Sequence, residues 1–251
     1  MQKLSVIIPV GNEIHNIKDV INSVKFADEI LVVDSFSDDG TFEEANKLPV
    51  KVIRRKYKYS ASQKNWAIPQ AKYDWILLID ADERVSKELK DEIIEILKLS
   101  KNDTAAYWIG RENYFMGEKV NYSGWQNDGV IRLFKKDLCR YEDKYVHAKL
   151  LVNGKLEKLK HKIIHNTYTK MNAHINKLNR YALLQAKDYD KFTNSITFFH
   201  FIIKPNWAFF KHYILQLGFL DGVIGLIISF LRFYSVFMRY VYLWILRKND
   251  S

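Results

Sequence analysis

The sequence predicts an α/β fold, a mostly parallel sheet flanked by helices, followed by a helical C-terminal segment. Three observations carry this expectation. Short apolar runs alternate with helical spacings between residues 4 and 79. Acids close two of those runs: Asp34 ends one, and Asp80 and Asp82 follow another. From residue 171 the period is helical, and residues 196–246 are apolar, aromatic and basic. The implied division is 1–170 and 171–251.

The elements follow in chain order. Residues 4–10 (Leu-Ser-Val-Ile-Ile-Pro-Val) read as a buried strand. Gly11-Asn12-Glu13 makes a turn, and Ile17, Val20, Ile21 and Val24 have helical spacing. Residues 29–34 form a second strand. A polar loop follows, and Gly40 or Thr41 caps the next helix. Residues 50–53 are a third strand, residues 60–71 a helix, and residues 75–79 a fourth strand. Strands alternating with helices imply right-handed parallel crossovers. Residues 87–99 make an amphipathic helix with Leu89, Ile93, Ile96 and Leu97 inward. Residues 105–115 are aromatic and β-rich, and Asn153-Gly154 is a hairpin signal.

Composition narrows the function. A length of 251 residues suits one large domain, or one with an appendage, and 48% apolar content supplies a core. The single Cys139 excludes an internal disulfide framework and suits a reducing compartment. The apolar start is too short for a secretory signal, so the chain is expected in the cytoplasm. The net charge of +10 favours anionic partners. Without zinc-finger spacing, an arginine-rich arm or an RNA-binding aromatic signature, nucleic acid is not expected, which leaves phosphates and membrane surfaces.

Asp80 and Asp82 are two apart, and in an extended chain such residues point to the same side. The carboxyl ends of parallel strands are where open α/β sheets bind ligands. Acids there hold a cation or bond sugar hydroxyls, although a bare Asp-x-Asp is also compatible with a solvated loop. With Asp34 at a neighbouring tip, one nucleotide cleft is suggested. Asp34 would face base or ribose, and Asp80 and Asp82 the phosphates. The absence of Gly-x-Gly-x-x-Gly argues against a dinucleotide site.

Several motifs together resemble one family. They are Ser5-Val6-Ile7-Ile8-Pro9-Val10-x-Asn12-Glu13, Val32-Val33-Asp34-Ser35-x-Ser37-x-Asp39-Gly40-Thr41, Gln63-Lys64-Asn65 and Asp80-Ala81-Asp82-Glu83. Gly124-Trp125, Ile131-Arg132-Leu133-Phe134, Val146-His147 and Gly218-Phe219-Leu220-Asp221-Gly222 follow in order. The chain resembles family-2 glycosyltransferases of GT-A (Rossmann-like) fold, and within them the lipopolysaccharide-core glucosyltransferase branch. The resemblance implies that Pro9, Asn12, Glu13, Asp34, Ser35, Gln63, Lys64, Asn65, Asp80, Ala81, Asp82 and Arg132 bind a nucleotide-diphosphate sugar, UDP-glucose first. It implies that Asp82 lies nearest a divalent metal, Mg or Mn, which relieves repulsion between carboxylates and diphosphate. It also implies an acceptor role for Trp125, a residue equally suited to anchoring a core. The implied acceptor is a lipid-linked glycan such as lipopolysaccharide core.

One departure stands out. Inverting transfer needs a base for the acceptor hydroxyl. The resembled branch has a Glu after Val-His, where this chain has Ala148. Asp143, Glu142 or His147 would have to substitute, or the base has been removed by engineering, or the chain is naturally an impaired, nucleotide-sugar-binding variant or a membrane assembly partner. His165 is a further candidate for phosphate or metal contact.

In the C-terminal segment the longest apolar run, residues 223–231, is too short to span a bilayer. Gly225, Ser229, Arg232, Ser235 and Arg239 form a narrow polar stripe. Such a helix is either buried in protein or lies in a membrane interface, and a homo-oligomer contact would also use it. The expected location is cytoplasmic, peripheral on the inner face of the cytoplasmic membrane.

Overall fold

The computed structural model describes residues 1–99, 103–144, 148–167 and 171–249. The chain divides into two compact units, Met1–Glu112 with Asp128–His165, and Asn113–Asn127 with Asn166–Ser251.

The first unit begins β1 (Leu4–Val10), α1 (Ile17–Ser23), β2 (Glu29–Asp34), α2 (Thr41–Asn46), β3 (Lys51–Arg54), α3 (Ser60–Ala67) and β4 (Trp75–Leu78). It continues with β5 (Glu83–Val85), α4 (Lys87–Lys98) and β6 (Thr104–Phe115), the last of which runs on into the second unit. After β7 (Glu118–Val120) come β8 (Gly129–Lys135), β9 (Cys139–Tyr141), β10 (Leu150–Val152), β11 (Lys155–Lys158) and β12 (Ile163–Thr167). The sheet runs β3-β2-β1-β4-β8-β6. It is parallel from β3 to β4, and β8 then pairs antiparallel with β4. The expected α/β architecture is present.

Alternation along the strands feeds two cores. Val6, Ile8, Val32 and Leu77 face α1 and α4, through Ile17, Ile21, Leu89 and Ile93. Ile7, Leu31, Val33, Ile76 and Leu78 face α3 and the β9–β10 pair. Each fully buried aliphatic side chain contributes about 1.5–3 kcal/mol, so both faces of the strands favour burial. Ser5 fixes the register. Its buried hydroxyl donates to Glu29 Oε2 at 2.5 Å and accepts from Tyr73 N at 3.0 Å. A one-residue slip would strand that hydroxyl in an apolar layer.

Local sequence explains the helix ends. Ser86 caps α4, accepting from Leu89 N at 3.2 Å. Gly40, with φ of 93°, is the N-cap of α2, and Thr41 is its first residue. Pro69 stops α3 from reaching 71, and a single tight turn, Ile68–Gln70, replaces its last part. The Asn153-Gly154 signal does not make a hairpin. β10 pairs back onto β9, and β11 joins the edge of β6, so the turn separates strands with different partners.

The second unit holds α5 (Met171–Asp190), α6 (Lys204–Phe210) and α7 (Gly222–Asn249). Tyr234 Oη donates to Asn179, Arg239 to Gln185 and Arg247 to Asp190, so α5 and α7 run parallel. Polar side chains of α7 are thereby turned towards α5. Phe115, Val120, Ile228 and Leu231 form one apolar cluster of this unit, and Ala186, Tyr240 and Leu243 form another.

Candidate active site

The site is built where β1 and β4 part. Ile79 N donates to Ile7 O at 3.0 Å, after which the chain leaves β1. Two residues on, Pro9 offers no N–H towards that side, and none is needed because no strand continues there. Alongside, two loops are stitched together. Asn12 N donates to Ser37 Oγ at 2.9 Å and Asp38 N to Asn12 Oδ1 at 3.0 Å. Glu13 N donates to Thr41 Oγ1 at 2.8 Å.

Asp34 lies fully buried at the tip of β2. Its carboxylate accepts from Phe36 N at 3.0 Å, from Ser37 N at 3.2 Å and from Arg54 Nε at 3.0 Å. The acid expected to face a base thus shapes its own loop. Phe36, at φ of 63°, stacks under the Arg54 guanidinium at 4.5 Å.

Helix α3 connects the two acidic strand tips. Gln63 Nε2 donates to Ser35 Oγ at 3.3 Å, while Lys64 Nζ lies 3.1 Å from Asp80 Oδ1. The buried Gln63 Oε1 has no hydrogen-bond partner. Asn65 clasps the backbone of Tyr141 with two bonds of 2.9 Å.

Asp80 and Asp82 do not project from an extended strand. β4 ends at Leu78, and residues 80–83 form a tight turn closed by Glu83 N to Asp80 O at 3.0 Å. Glu83 Oε2 also accepts from Asp80 N at 3.0 Å. The turn gives the two aspartates different partners. Asp80 is paired with Arg132 and Lys64. Burial alone would push its carboxyl up, but the two cations outweigh that and hold it well below the usual carboxylate range. Asp82 faces His165 Nε2 at 3.5 Å. Ala81 is buried, and its carbonyl accepts from Arg84 Nη1 at 2.6 Å, so Arg84 secures the turn rather than pointing at an open site.

Glu83, which the sequence shows only as the end of the Asp80–Glu83 motif, and Arg111 complete the site. Glu83 is fully buried, 2.8 Å from Arg132 Nη2 and 2.8 Å from Arg111 Nη2. Arg111 also reaches Asp128 at 3.6 Å. Three cations (Lys64, Arg111, Arg132) therefore meet three acids (Asp80, Glu83, Asp128) in one balanced network. The available signal was an arginine within each of two strands that begin or run apolar, Arg111 in β6 and Arg132 between Ile131 and Leu133 in β8.

The donor set fits a hard divalent cation sparingly. Among the described residues, no group of three or more acidic, histidine or cysteine side chains is arranged to hold a metal ion. Both Asp80 oxygens face cations, so Asp82 with His165 is the pair suited to a metal. Mg and Mn sites of this kind use one or two protein ligands and complete their shell with substrate phosphates and water.

Residues 142–149 connect β9 to β10. Glu142 N donates to Lys149 O at 2.9 Å, and Lys149 N to Glu142 Oε2 at 3.1 Å. Asp143 is gripped by the Tyr59 hydroxyl, at the N-terminus of α3. Ala148 is partly buried against the α3 side of the core. His147 lies outside the described residues. The Tyr141 ring, just before this loop, carries Lys64 Nζ at 5.4 Å, which links the loop to Asp80. Trp125 belongs to the second unit, where its ring meets Phe115 edge-on at 6.2 Å inside the apolar cluster.

A family model described as "Glycosyl transferase family 2" matches residues 5–199. The chain is 32% identical over 250 residues to an uncharacterized glycosyltransferase of Rickettsia felis, covering 95% of this chain and 88% of that one. It is 25% identical over 251 residues to a Rhizobium meliloti protein named lipopolysaccharide core biosynthesis glycosyltransferase LpsC, covering 94% and 93%. Among solved structures, S. aureus TarS 1–349 in complex with UDP-GlcNAc aligns with a TM-score of 0.49 and 14% identity, over 98% of this chain and 92% of that one.

Proposed function

Because the chain belongs to glycosyl transferase family 2, we propose that it moves a hexose, glucose first, from UDP-sugar to a lipid-linked glycan, with inversion and with Mg or Mn. That it is a glycosyltransferase of GT-A fold follows from the family. The acceptor class is supported by the lipopolysaccharide-core name of the Rhizobium relative. In this reading residues 1–170 are the catalytic domain, and residues 171–251 hold it at the inner face of the cytoplasmic membrane.

The observation that carries the reading is the division of labour in the 80–83 turn. Asp80 is neutralised by Lys64 and Arg132, while Asp82 and His165 face each other at 3.5 Å. Asp82 and His165 would hold the divalent metal, which would supply Lewis-acid charge stabilisation to the departing diphosphate. Arg132 and Lys64 orient Asp80 and add positive charge nearby. Pro9, Asn12, Glu13, Ser35, Gln63 and Asn65 line or brace the nucleotide pocket, and Asp34 holds the base-side loop. Trp125 belongs to the acceptor side, where it acts through the loop it anchors.

A second reading stays open because Ala148 has no proton-accepting group. In it the chain keeps nucleotide-sugar affinity and turns over poorly, or relies on Asp143 or His147. Transfer and hydrolysis of UDP-glucose with Mn²⁺, measured beside UDP binding, separate the two. Turnover that disappears on chelation supports the first. Tight UDP binding without turnover on any nucleotide sugar supports the second.

A further inference from the structure

Two sequence motifs about a hundred residues apart meet in the second unit. The Asp221 carboxylate accepts from Asn121 N, Tyr122 N and Ser123 Oγ, each at 2.9 Å. Gln216 O accepts from Ser123 N at 3.0 Å and from Gln126 Nε2 at 2.9 Å. His212 Nδ1 lies 3.1 Å from Ser123 O. Ser123 and Gly124 sit at φ of 58° and 86°, a left-handed pair that needs such holding. The grip is close-fitting as well, since a Cβ on Gly218 would come 3.0 Å from Ser123 Oγ. The inward side of residues 212–221 is therefore a clamp on loop 121–126.

The outward side of the same stretch is apolar. Leu215 and Leu220 are 57% and 54% exposed, with Ile214, Leu217 and Phe219 also exposed. The surface continues along α7 through Val223 (75% exposed), Leu226 and Phe230, and Phe230 stacks on Phe233 at 5.7 Å. This reverses the pattern of a helix facing water, because α7 keeps its polar side chains against α5. Charge names the occupant. Residues 195–249 contain Lys204, Lys211, Arg232, Arg239 and Lys248, besides Arg247, which is ion-paired with Asp190, against one acid, Asp221, and that acid is spent on the loop amides. An apolar face with a cationic setting fits an anionic phospholipid surface.

We propose that residues 212–221 are a coupling element: their apolar side seats on anionic lipid, and Asp221, Gln216 and His212 transmit that seating by ordering loop 121–126. Asp221 is a positioning residue for this loop. The inference rests on the membrane reading above, and it does not depend on the donor or on turnover.

The test is hydrogen exchange of the full chain, with and without vesicles of phosphatidylethanolamine and phosphatidylglycerol, beside flotation of the same samples. The expected result is flotation together with exchange in the peptide containing residues 121–126 slowed about fivefold. Leu215→Ser with Leu220→Ser, both at exposed positions, should lose flotation and the slowing together. Asp221→Asn should float as the wild type does, while its loop exchanges fast in both conditions. Three outcomes overturn the proposal: vesicle binding that leaves 121–126 unchanged, Asp221→Asn protected like the wild type, or a self-associated chain that ignores vesicles. Because no sugar nucleotide enters the assay, a chain without UDP-glucose turnover still gives the answer.

Discussion

Arg132 Nη2 joins two carboxylates, donating to Glu83 Oε1 at 2.8 Å and to Asp80 Oδ2. One nitrogen thereby ties the buried acid of the 80–83 turn to the half-exposed one. The tie also explains how a turn with three acids holds together. Glu83 is wholly out of solvent and relies on Arg132, Arg111 and the Asp80 amide.

Removing one partner of such a network leaves an uncompensated buried charge, which costs about 3–5 kcal/mol. Arg132→Met is expected to lower stability by that amount, read from the urea midpoint. Arg132→Met with Glu83→Gln should lose less than the sum of the two single changes, because the second removes the orphaned charge. Strict additivity would mean that the two side chains are not coupled.

Metal dependence should divide between the two aspartates. Asp82→Asn is expected to raise the Mn²⁺ concentration for half-activation about tenfold or more, with little change in the urea midpoint. Asp80→Asn should also lower stability, since it leaves Lys64 and Arg132 facing a neutral amide. His165→Gln should follow Asp82→Asn. Equal metal responses in the Asp80 and Asp82 variants would remove the proposed division.

The strand tips were legible because buried parallel strands leave continuous apolar runs, and the acids ending them are visible by eye. The geometry of those acids was not. Two-residue spacing predicts a shared side only in extended backbone, and the chain turns after Leu78. The charged network was hidden for another reason: Arg111 and Arg132 meet Glu83 from 28 and 49 residues away. Periodicity reports which face a residue takes, not which distant charge it will meet. The polar stripe of α7 was legible as a stripe, while its partner, α5, was not.

His174 gives the stability a pH window of its own. Burial, reinforced by Lys177 and Arg232, pushes its imidazole down to about 4. The unfolded value is about 6.5. Between those values the unfolded chain binds more protons, so stability rises with pH and is lost as pH falls from 6.5 towards 4. The loss is about 1–3 kcal/mol across the window. Asp80 acts lower down: its depressed folded value gives stability that is complete above the unfolded carboxylate value and falls away below it. Urea midpoints of the wild type and His174→Phe at pH 7 and pH 5 check this. The variant should lose the difference between the two pH values.

The loop from β9 to β10 carries the sharpest expectation about chemistry. Ala148 rests partly buried on the α3 side of the core, six residues after Glu142, whose carboxylate is occupied by Lys149 N at 3.1 Å. Asp143 is held by the Tyr59 hydroxyl, so one of its carboxylate oxygens is already engaged. Neither neighbour is thus prepared to accept a proton from an incoming hydroxyl. A carboxylate at 148 would be new and unencumbered by those bonds. Ala148→Glu is expected to raise kcat for transfer by about 10²–10⁴-fold while leaving UDP affinity unchanged, because general-base catalysis acts on the transition state alone. The pH profile of kcat should gain an acidic limb at the carboxylate's pKa. If Asp143→Asn abolishes turnover of the wild-type chain instead, and Ala148→Glu adds nothing, then the Tyr59-held carboxylate is the base and position 148 has no part in proton transfer.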